Sequence, residues 1–233
     1  IAIHALLFRL TPDEVNAFGT ATRCYLDDIL KTVQDFPNSG IPTMIKFNRL
    51  DGDISDYHAK LQIHSAALWM ANKFNAIIKN AALPFKQIQV LSPFIIDLRF
   101  AKVLGADKPC FITPKCSNFK DTKLMGEFSL AESREEWNKW VNNDGIRSIH
   151  MDPELCNDYI RCYSTLDAFI LFEWRLTNGN FVNCDFQGKF INGVFVMTDL
   201  AAASKSQMLG RHTNCGAPGV HKIAKDAYNT LTQ

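Results

Sequence analysis

FVNCDFQGKFINGVFVMTDLAAASKSQMLGRHTNCGAPG, residues 181–219, is the stretch on which the fold turns. It opens with a β-rich run from Phe181 to Gln187 that ends in Asp-x-Gln-Gly. Side chains alternate along a strand, so Asp185 and Gln187 project to one face and Val182, Cys184 and Phe186 to the other. A carboxylate and an amide on one face at a strand end suit Mg²⁺, which wants hard oxygen ligands and takes few of them from protein. The same residues also suit a turn built around an Asp. A second β-rich run, 194–199, ends in Thr198-Asp199, and Asn192-Gly193 before it signals a hairpin. The ideal two-residue register sets Asp199 opposite Phe186, which turns the two aspartates to opposite sides. A bulge or a longer loop is needed for both to face one ligand. The third part is Gly210-x-x-x-Asn214-x-Gly216-x-x-Gly219. It reads as a loop whose backbone N–H groups can turn toward an anion, or as an ordinary surface turn.

The whole chain has 233 residues, 47% of them hydrophobic, enough for a buried core in one domain or one bilobed unit. Its net charge of +1 gives no global pull toward nucleic acid. No apolar run reaches the ~20 residues of a membrane span. There is no signal-peptide pattern, and a start at Ile1 rather than Met suggests a fragment. The seven cysteines, at 24, 110, 116, 156, 162, 184 and 215, form no C-x-x-C. Their scattered, mostly apolar settings predict reduced thiols in a cytoplasmic protein, and no His/Cys cluster has zinc-finger spacing.

Taken in order, residues 1–9 are read as a strand. Thr11-Pro12-Asp13-Glu14 looks like a helix start, with Thr as N-cap, Pro at N1 and Glu at N3. Gly19 then breaks that helix into a turn and strand carrying Arg23, which is either a solvated charge or a phosphate fork. Pro37-Asn38-Ser39-Gly40 is a loop. Residues 41–48 form a strand with Lys46 among apolar neighbours, either snorkelling or gripping nucleotide phosphates. Residues 51–55 are an acidic loop. The spacing of apolar residues predicts a helix from Tyr57 to about Leu83, limited by Pro84, with Trp69 and Phe74 as core. A strand follows to about Leu91 and another after Pro93. Short strands are expected at 110–114 and at 124–130, the latter carrying Glu127. Residues 133–140 are charged and amphipathic, and Asn142-Asn143-Asp144-Gly145 is a tight polar turn. Residues 166–175 read as a buried helix, although their Phe, Ile and Trp content also suits a strand. Thr177-Asn178-Gly179-Asn180 is a turn.

These landmarks resemble the alpha-kinase family of atypical protein kinases, which includes myosin heavy chain kinases and elongation factor 2 kinase. The likeness runs in order over nearly the whole chain. Phe18-Gly19-x-x-x-Arg23-x-Tyr25 is similar to the family's early Gly/Arg region, and Met44-Ile45-Lys46 to the strand with the catalytic lysine. Ala71-Asn72-Lys73-Phe74-Asn75, followed by Ile88-Gln89-Val90-Leu91, resembles the A-x-x-F-N helix and its next strand. Trp137-Asn138-Lys139-Trp140-Val141-Asn142-Asn143-Asp144-Gly145 looks like the family's F-x-K-[WY]-N-x-N-x-G turn. Leu166-Asp167-Ala168-Phe169 stands at the A-F-S-H helix. Asp185-Phe186-Gln187-Gly188, Thr198-Asp199 and Asn214-Cys215-Gly216-Ala217-Pro218-Gly219 resemble D-[IL]-Q-G, T-D-P and N-L-G-x-x-G.

The resemblance implies an α+β, bilobed protein-kinase-like fold. One catalytic domain would cover 1–233, with an N-lobe sheet and long helix over about 1–125 and a mixed C-lobe over about 126–233. It implies an ATP-dependent Ser/Thr protein kinase with ATP and Mg²⁺ as cofactors and a protein substrate, with no nucleic acid or membrane as partner. Lys46 would contact the ATP phosphates with Arg23 as helper, and Glu127 would sit near adenine at the hinge. Asp185 and Gln187 would bind Mg²⁺ and phosphate, and Asp199 would orient or deprotonate the acceptor hydroxyl. Asn214, Gly216 and Gly219 would line the nucleotide or substrate side. Lys46, Asp185 and Asp199 form the implied catalytic set. The departures are specific. The family's structural zinc is held by two His and two Cys, and those positions fall on Ile170, Asp226, Tyr228 and Thr232, so zinc is not expected. Leu200 replaces the family's proline, and the segment between Asp185 and Asp199 is a few residues longer. These changes favour a second reading, a pseudokinase that binds nucleotide or a partner without phosphoryl transfer.

Overall fold

The computed structural model describes residues 14–15, 19–25, 42–48, 54–97, 123–128, 138–146, 159–206, 209 and 215–232. The strands expected at 1–9 and 110–114, the loop at 37–40 and residues 133–137 lie outside the described residues. The chain divides into two compact units that interleave in sequence, 1–57 with 93–130 and 58–92 with 131–233.

Among the described residues, the first unit holds one antiparallel sheet. Its strands are β1 (Glu14–Val15), β2 (Gly19–Tyr25), β3 (Pro42–Asn48), β5 (Phe94–Asp97) and β6 (Lys123–Phe128), in the order β1-β2-β3-β6-β5. The helix expected to start near Thr11 is absent at Glu14 and Val15, which pair with Ala21 and Thr20 instead. A helix cap is worth only about 1 kcal/mol. Pairing along the β2 edge supplies partners for backbone groups that the cap alone does not.

The second unit contains α1 (Ile54–Asn80), apart from its first residues 54–57, together with α2 (Tyr159–Leu176) and α3 (Gly216–Leu231). Helix α1 starts three residues before the expected Tyr57, taking Ile54 and Ser55 from the expected loop, and ends at Asn80. Ala82, at φ 50°, turns the chain before Pro84. Its buried residues Ala59, Ile63, His64, Ala67, Met70, Ala71, Phe74 and Ile78 recur every three or four positions, which makes one stripe. Trp69 is not core as expected. It stands about 100° round the helix from Met70, is 53% exposed, and carries the Lys73 ammonium 4.7 Å above its ring. Residues 166–175 are helical, within α2, and bury Leu166, Phe169, Ile170 and Glu173.

A four-stranded sheet has the order β4-β10-β9-β7, made of β4 (Gln87–Val90), β7 (Asn138–Lys139), β9 (Gln187–Ile191) and β10 (Val194–Thr198). Strand β4 runs parallel to β10 and the other neighbours are antiparallel. A two-stranded antiparallel sheet pairs β8 (Phe181–Cys184) with β11 (Ala201–Ser204). The Phe74-Asn75 pair shows why α1 and β4 travel together. Phe74 stacks edge-on to Phe169 at 5.4 Å and lies 5.7 Å from Phe172. The Asn75 amide nitrogen donates to the Ile88 carbonyl at 2.7 Å, and its oxygen accepts from the Ile88 N–H at 2.9 Å. Phe169 in turn meets Phe186 at 6.0 Å, and Trp140 meets Phe195 at 4.9 Å. Each fully buried large side chain contributes about 1.5–3 kcal/mol, so these contacts hold α1 and α2 together over Phe186 and hold Trp140, just after β7, against β10. Among the described residues, no helix is long and apolar enough to cross a membrane.

Candidate active site

The hairpin between β9 and β10 turns through Asn192 (φ 50°) and Gly193 (φ 82°). Positive φ at both central residues is what a type I′ turn demands. The two-residue register holds, with Val194 opposite Ile191 and Thr198 opposite Gln187. The strands do not continue straight, as the sequence suggested for 181–187. The backbone enters the left-handed region at Asp185 (φ 59°) and again at Asp199 (φ 53°). On one side of these corners Cys184 pairs with Ala201 in the two-stranded sheet, and on the other Gln187 pairs with Thr198 in the four-stranded one. Both strands thus change sheet at the same level, each over an Asp and an apolar residue, Phe186 and Leu200, that are fully buried. Asp is among the few non-glycine residues that occupy this region readily.

The paired corners remove the need for a bulge. The Gln187 amide nitrogen donates to Asp185 Oδ2 at 3.1 Å and to the Asp199 carbonyl at 3.2 Å, joining the two corners. Gly188, at φ 148°, closes the motif, because a Cβ there would lie 2.0 Å from the Val196 carbonyl oxygen.

Each carboxylate has its own cation. Lys139, at the end of β7, places Nζ 2.5 Å from Asp185 Oδ1. The Asn143 side-chain nitrogen, turned toward the carboxylate, donates to both Asp185 oxygens at 3.1 Å. Asn143 is held there by the polar turn after β7, where Asn142 Oδ1 accepts from the N–H groups of Asp144 and Ile146 at 2.9 and 2.8 Å. Lys60 of α1 reaches Asp199 Oδ1 at 2.7 Å and the Leu200 carbonyl at 2.9 Å. One turn along, buried His64 receives the Leu200 N–H on Nε2 at 3.1 Å and donates Nδ1–H to the Leu91 carbonyl at 2.8 Å. That pattern fixes a neutral imidazole tautomer. Burial raises the Asp185 carboxyl above its ordinary value, the Lys139 hydrogen bond and charge oppose this, and the charge of Asp199 adds to the rise. The charge of Asp199 is thus felt at Asp185.

Behind the corner lies a buried carboxyl. Glu173 of α2 accepts the Asn183 N–H on Oε2 at 2.7 Å, and the Asn183 side-chain amide meets Oε1. Burial pushes Glu173 up to about 8, against the lowering effect of these two hydrogen bonds.

Gly216 and Gly219 are not in a loop, as expected. They form the first turn of α3, with Gly216 at φ 67°. A Cβ on Gly219 would lie 2.6 Å from Cys215 Cβ and 3.1 Å from Ala203 Cβ, so this glycine lets the helix close on β11. Asn214 lies outside the described residues. In the first unit Arg23 is opposite Met44 and Met44 opposite Glu127, one row across β2, β3 and β6. Lys46, opposite Ala21 and Met125, is two residues along β3, so Arg23, Lys46 and Glu127 hold register positions on one face of that sheet. Of the positions that match the family's zinc ligands, Ile170 is buried in the core, Tyr228 on α3 is 56% exposed, and Thr232 is the α3 C-cap.

Sequence reasoning missed Lys60, His64, Lys139 and Asn143 as site residues. Lys139 and Asn143 lie inside the 137–145 motif, whose resemblance implies a turn and no role for either side chain. Lys60 and His64 left a fainter signal, two polar residues one helical turn apart beside an apolar stripe.

Residues 17–226 match the model of the Alpha-kinase family. The chain therefore belongs to the alpha-kinase family of atypical protein kinases. Among solved structures it is similar to a novel alpha kinase from Entamoeba histolytica, at 19% identity over 93% of this chain and 72% of that one, with a TM-score of 0.62. It is also similar to the alpha-kinase domain of myosin heavy chain kinase A in complex with AMP, at 17% identity over 97% and 90% of the two chains, with a TM-score of 0.66. An inactive form of that domain in complex with ATP is 17% identical over 94% and 84%, with a TM-score of 0.65. At these identities the likeness is one of fold, which is α+β and of alpha-kinase type. A sequence search of curated proteins finds no match.

Proposed function

We propose that the chain is an active, ATP-dependent Ser/Thr protein kinase that moves the ATP γ-phosphoryl group to a protein hydroxyl in the cytoplasm, as one catalytic domain over 1–233. The observation that carries this reading is the pair of aspartate corners joined by Gln187. Left-handed residues also occur in plain turns at Ala82, Asn178 and Asn192, and what sets these two corners apart is that one amide joins them and each carries a carboxylate paired with a lysine. The ATP, ADP and AMP complexes of myosin heavy chain kinase A supply the nucleotide by analogy.

In this reading Asp199 orients or deprotonates the acceptor hydroxyl. Lys60 and the His64–Leu200 contact hold that carboxylate in place. Lys46 meets the nucleotide phosphates with Arg23 beside it, Glu127 lies near adenine, and Asn214, Gly216 and Gly219 border the nucleotide or substrate. The Asp185 carboxylate is a hard ligand that already attracts cationic Lys139 and would hold Mg²⁺, with the Gln187 amide oxygen beside it once the nitrogen that donates to Asp185 turns away. Among the described residues no group of three or more His, Cys, Asp or Glu could hold a metal, so most of the shell would come from water and phosphate. When bound, Mg²⁺ would neutralise charge on the phosphates. The second reading, a nucleotide-binding pseudokinase, is favoured by one feature. Lys60 engages both Asp199 and the carbonyl of Leu200, the residue that replaces the family's proline.

The test is phosphate incorporation from Mg·ATP into a generic basic protein, read by intact mass. The expected result is incorporation by the chain and none by Asp199→Ala. Nucleotide binding without incorporation would replace this reading with the pseudokinase one.

A further inference from the structure

Two thiols meet beside the Asp185 corner and take no part in the reading above. Cys184 ends β8 and is fully buried, while Cys215 stands exposed at the N-cap of α3. Three features bring them together. The Cys215 N–H donates to the Ala202 carbonyl at 3.0 Å, next to Ala201, the strand partner of Cys184. Alternation puts Cys184, Ala201 and Ala203 on one face of the two-stranded sheet. Gly219 brings the first turn of α3, with the Cys215 side chain, down on that same face against Ala203. Interaction with Cys184 holds the Cys215 thiol down at about 7, and that thiol donates to the Asn143 carbonyl at 3.2 Å. Cys215 is thus the member open to solvent, at the positive end of a helix that favours a thiolate, and Cys184 lies directly behind it.

We propose that Cys184 and Cys215 form a redox-active dithiol, a modification site that takes a hydroperoxide as oxidant and closes to a disulfide next to Asp185. The Cys215 thiolate attacks one peroxide oxygen. The O–O bond breaks, the leaving hydroxide takes a proton to become water, and Cys215 becomes a sulfenic acid. Cys184, as it gives up its proton, attacks that sulfur, and the S–OH bond breaks to release the second water. The two thiols lose two electrons and two protons in all, and hydrogen peroxide is reduced to two waters. The link ties the residue before Asp185 to the first turn of α3. It also removes the hydrogen bond from Cys215 to Asn143, the residue whose amide binds the Asp185 carboxylate.

The experiment treats the folded chain with hydrogen peroxide, digests it without reductant and maps the peptides by mass. The expected product is a Cys184–Cys215 linked peptide lighter by two hydrogens, formed before the remaining cysteines oxidise and reversed by dithiothreitol. Cys184→Ser, checked for folding by its melting curve, is expected to lose the link and to leave Cys215 as a sulfenic acid trapped by dimedone. Oxidation of other cysteines with no Cys184–Cys215 peptide in the unsubstituted chain would overturn the proposal. Dimedone labelling of Cys215 to the same extent with and without Cys184→Ser would overturn it as well.

Discussion

The two aspartate corners share a backbone conformation and differ in everything around it. The side chain of Asp185 is 13% exposed, faces Lys139 and Asn143 from the turn after β7, and is backed through Asn183 by a buried Glu173. The side chain of Asp199 is 26% exposed and meets Lys60 of α1, whose His64 holds the neighbouring Leu200. One corner is a socket braced from several sides, and the other is a more open carboxylate paired with Lys60. That difference suits a cation holder and a group that must meet an incoming hydroxyl.

The strongest blow to the braced corner falls on its glycine. Gly188→Ala drives a methyl into the Val196 carbonyl, 2.0 Å from the ideal Cβ position, and is expected to destabilise the fold by about 3 kcal/mol or more. Urea unfolding measures this, and a loss below about 1 kcal/mol would mean the corner relaxes freely.

The backing carboxyl should make stability depend on pH. Glu173 sits at about 8 in the fold against 4.5 ordinarily, so the folded chain keeps a proton that the unfolded chain releases. Its contribution is full below pH 4.5 and is lost as pH rises through about 8. Between pH 5 and 8 it should cost the chain on the order of 3 kcal/mol, and Glu173→Gln should flatten that decline. Parallel stability–pH curves for the two proteins would contradict the assignment.

Lys60→Met probes the open corner. The pair is only partly buried, so stability should fall by about 1 kcal/mol, whereas a loss equal to that of Gly188→Ala would erase the contrast between the corners. Trp69→Ala lies on the exposed side of the same helix and should change stability by no more than about 0.5 kcal/mol. A larger effect in calorimetry would show that the Lys73–Trp69 contact carries part of the α1 support.

The order of elements was legible because punctuation and period agree with packing. Asn192-Gly193 fixed the hairpin register, Pro42 to Asn48 was a strand as expected, and the α1 stripe followed its apolar spacing. The site was legible in its residue types and not in its geometry. Asp185 and Asp199 look misaligned in any straight hairpin, and only a change of sheet at both corners brings them together. Such a change depends on what packs behind each strand, which alternation does not encode. The same limit hid Lys60 and His64, whose partners Asp199 and Leu200 lie more than 130 positions away. It also made Thr11-Pro12-Asp13-Glu14 look like a helix start, since local capping says nothing of the β2 edge beside it.

The division of labour between the corners is tested most directly by Asp185→Asn and Asp199→Asn side by side, measuring Mg·ATP binding and phosphate incorporation for each. Asp199→Asn is expected to bind Mg·ATP still and to lose incorporation by about 100-fold or more, and Asp185→Asn to lose the magnesium-dependent part of binding. Incorporation by both variants at the rate of the unsubstituted chain would contradict it.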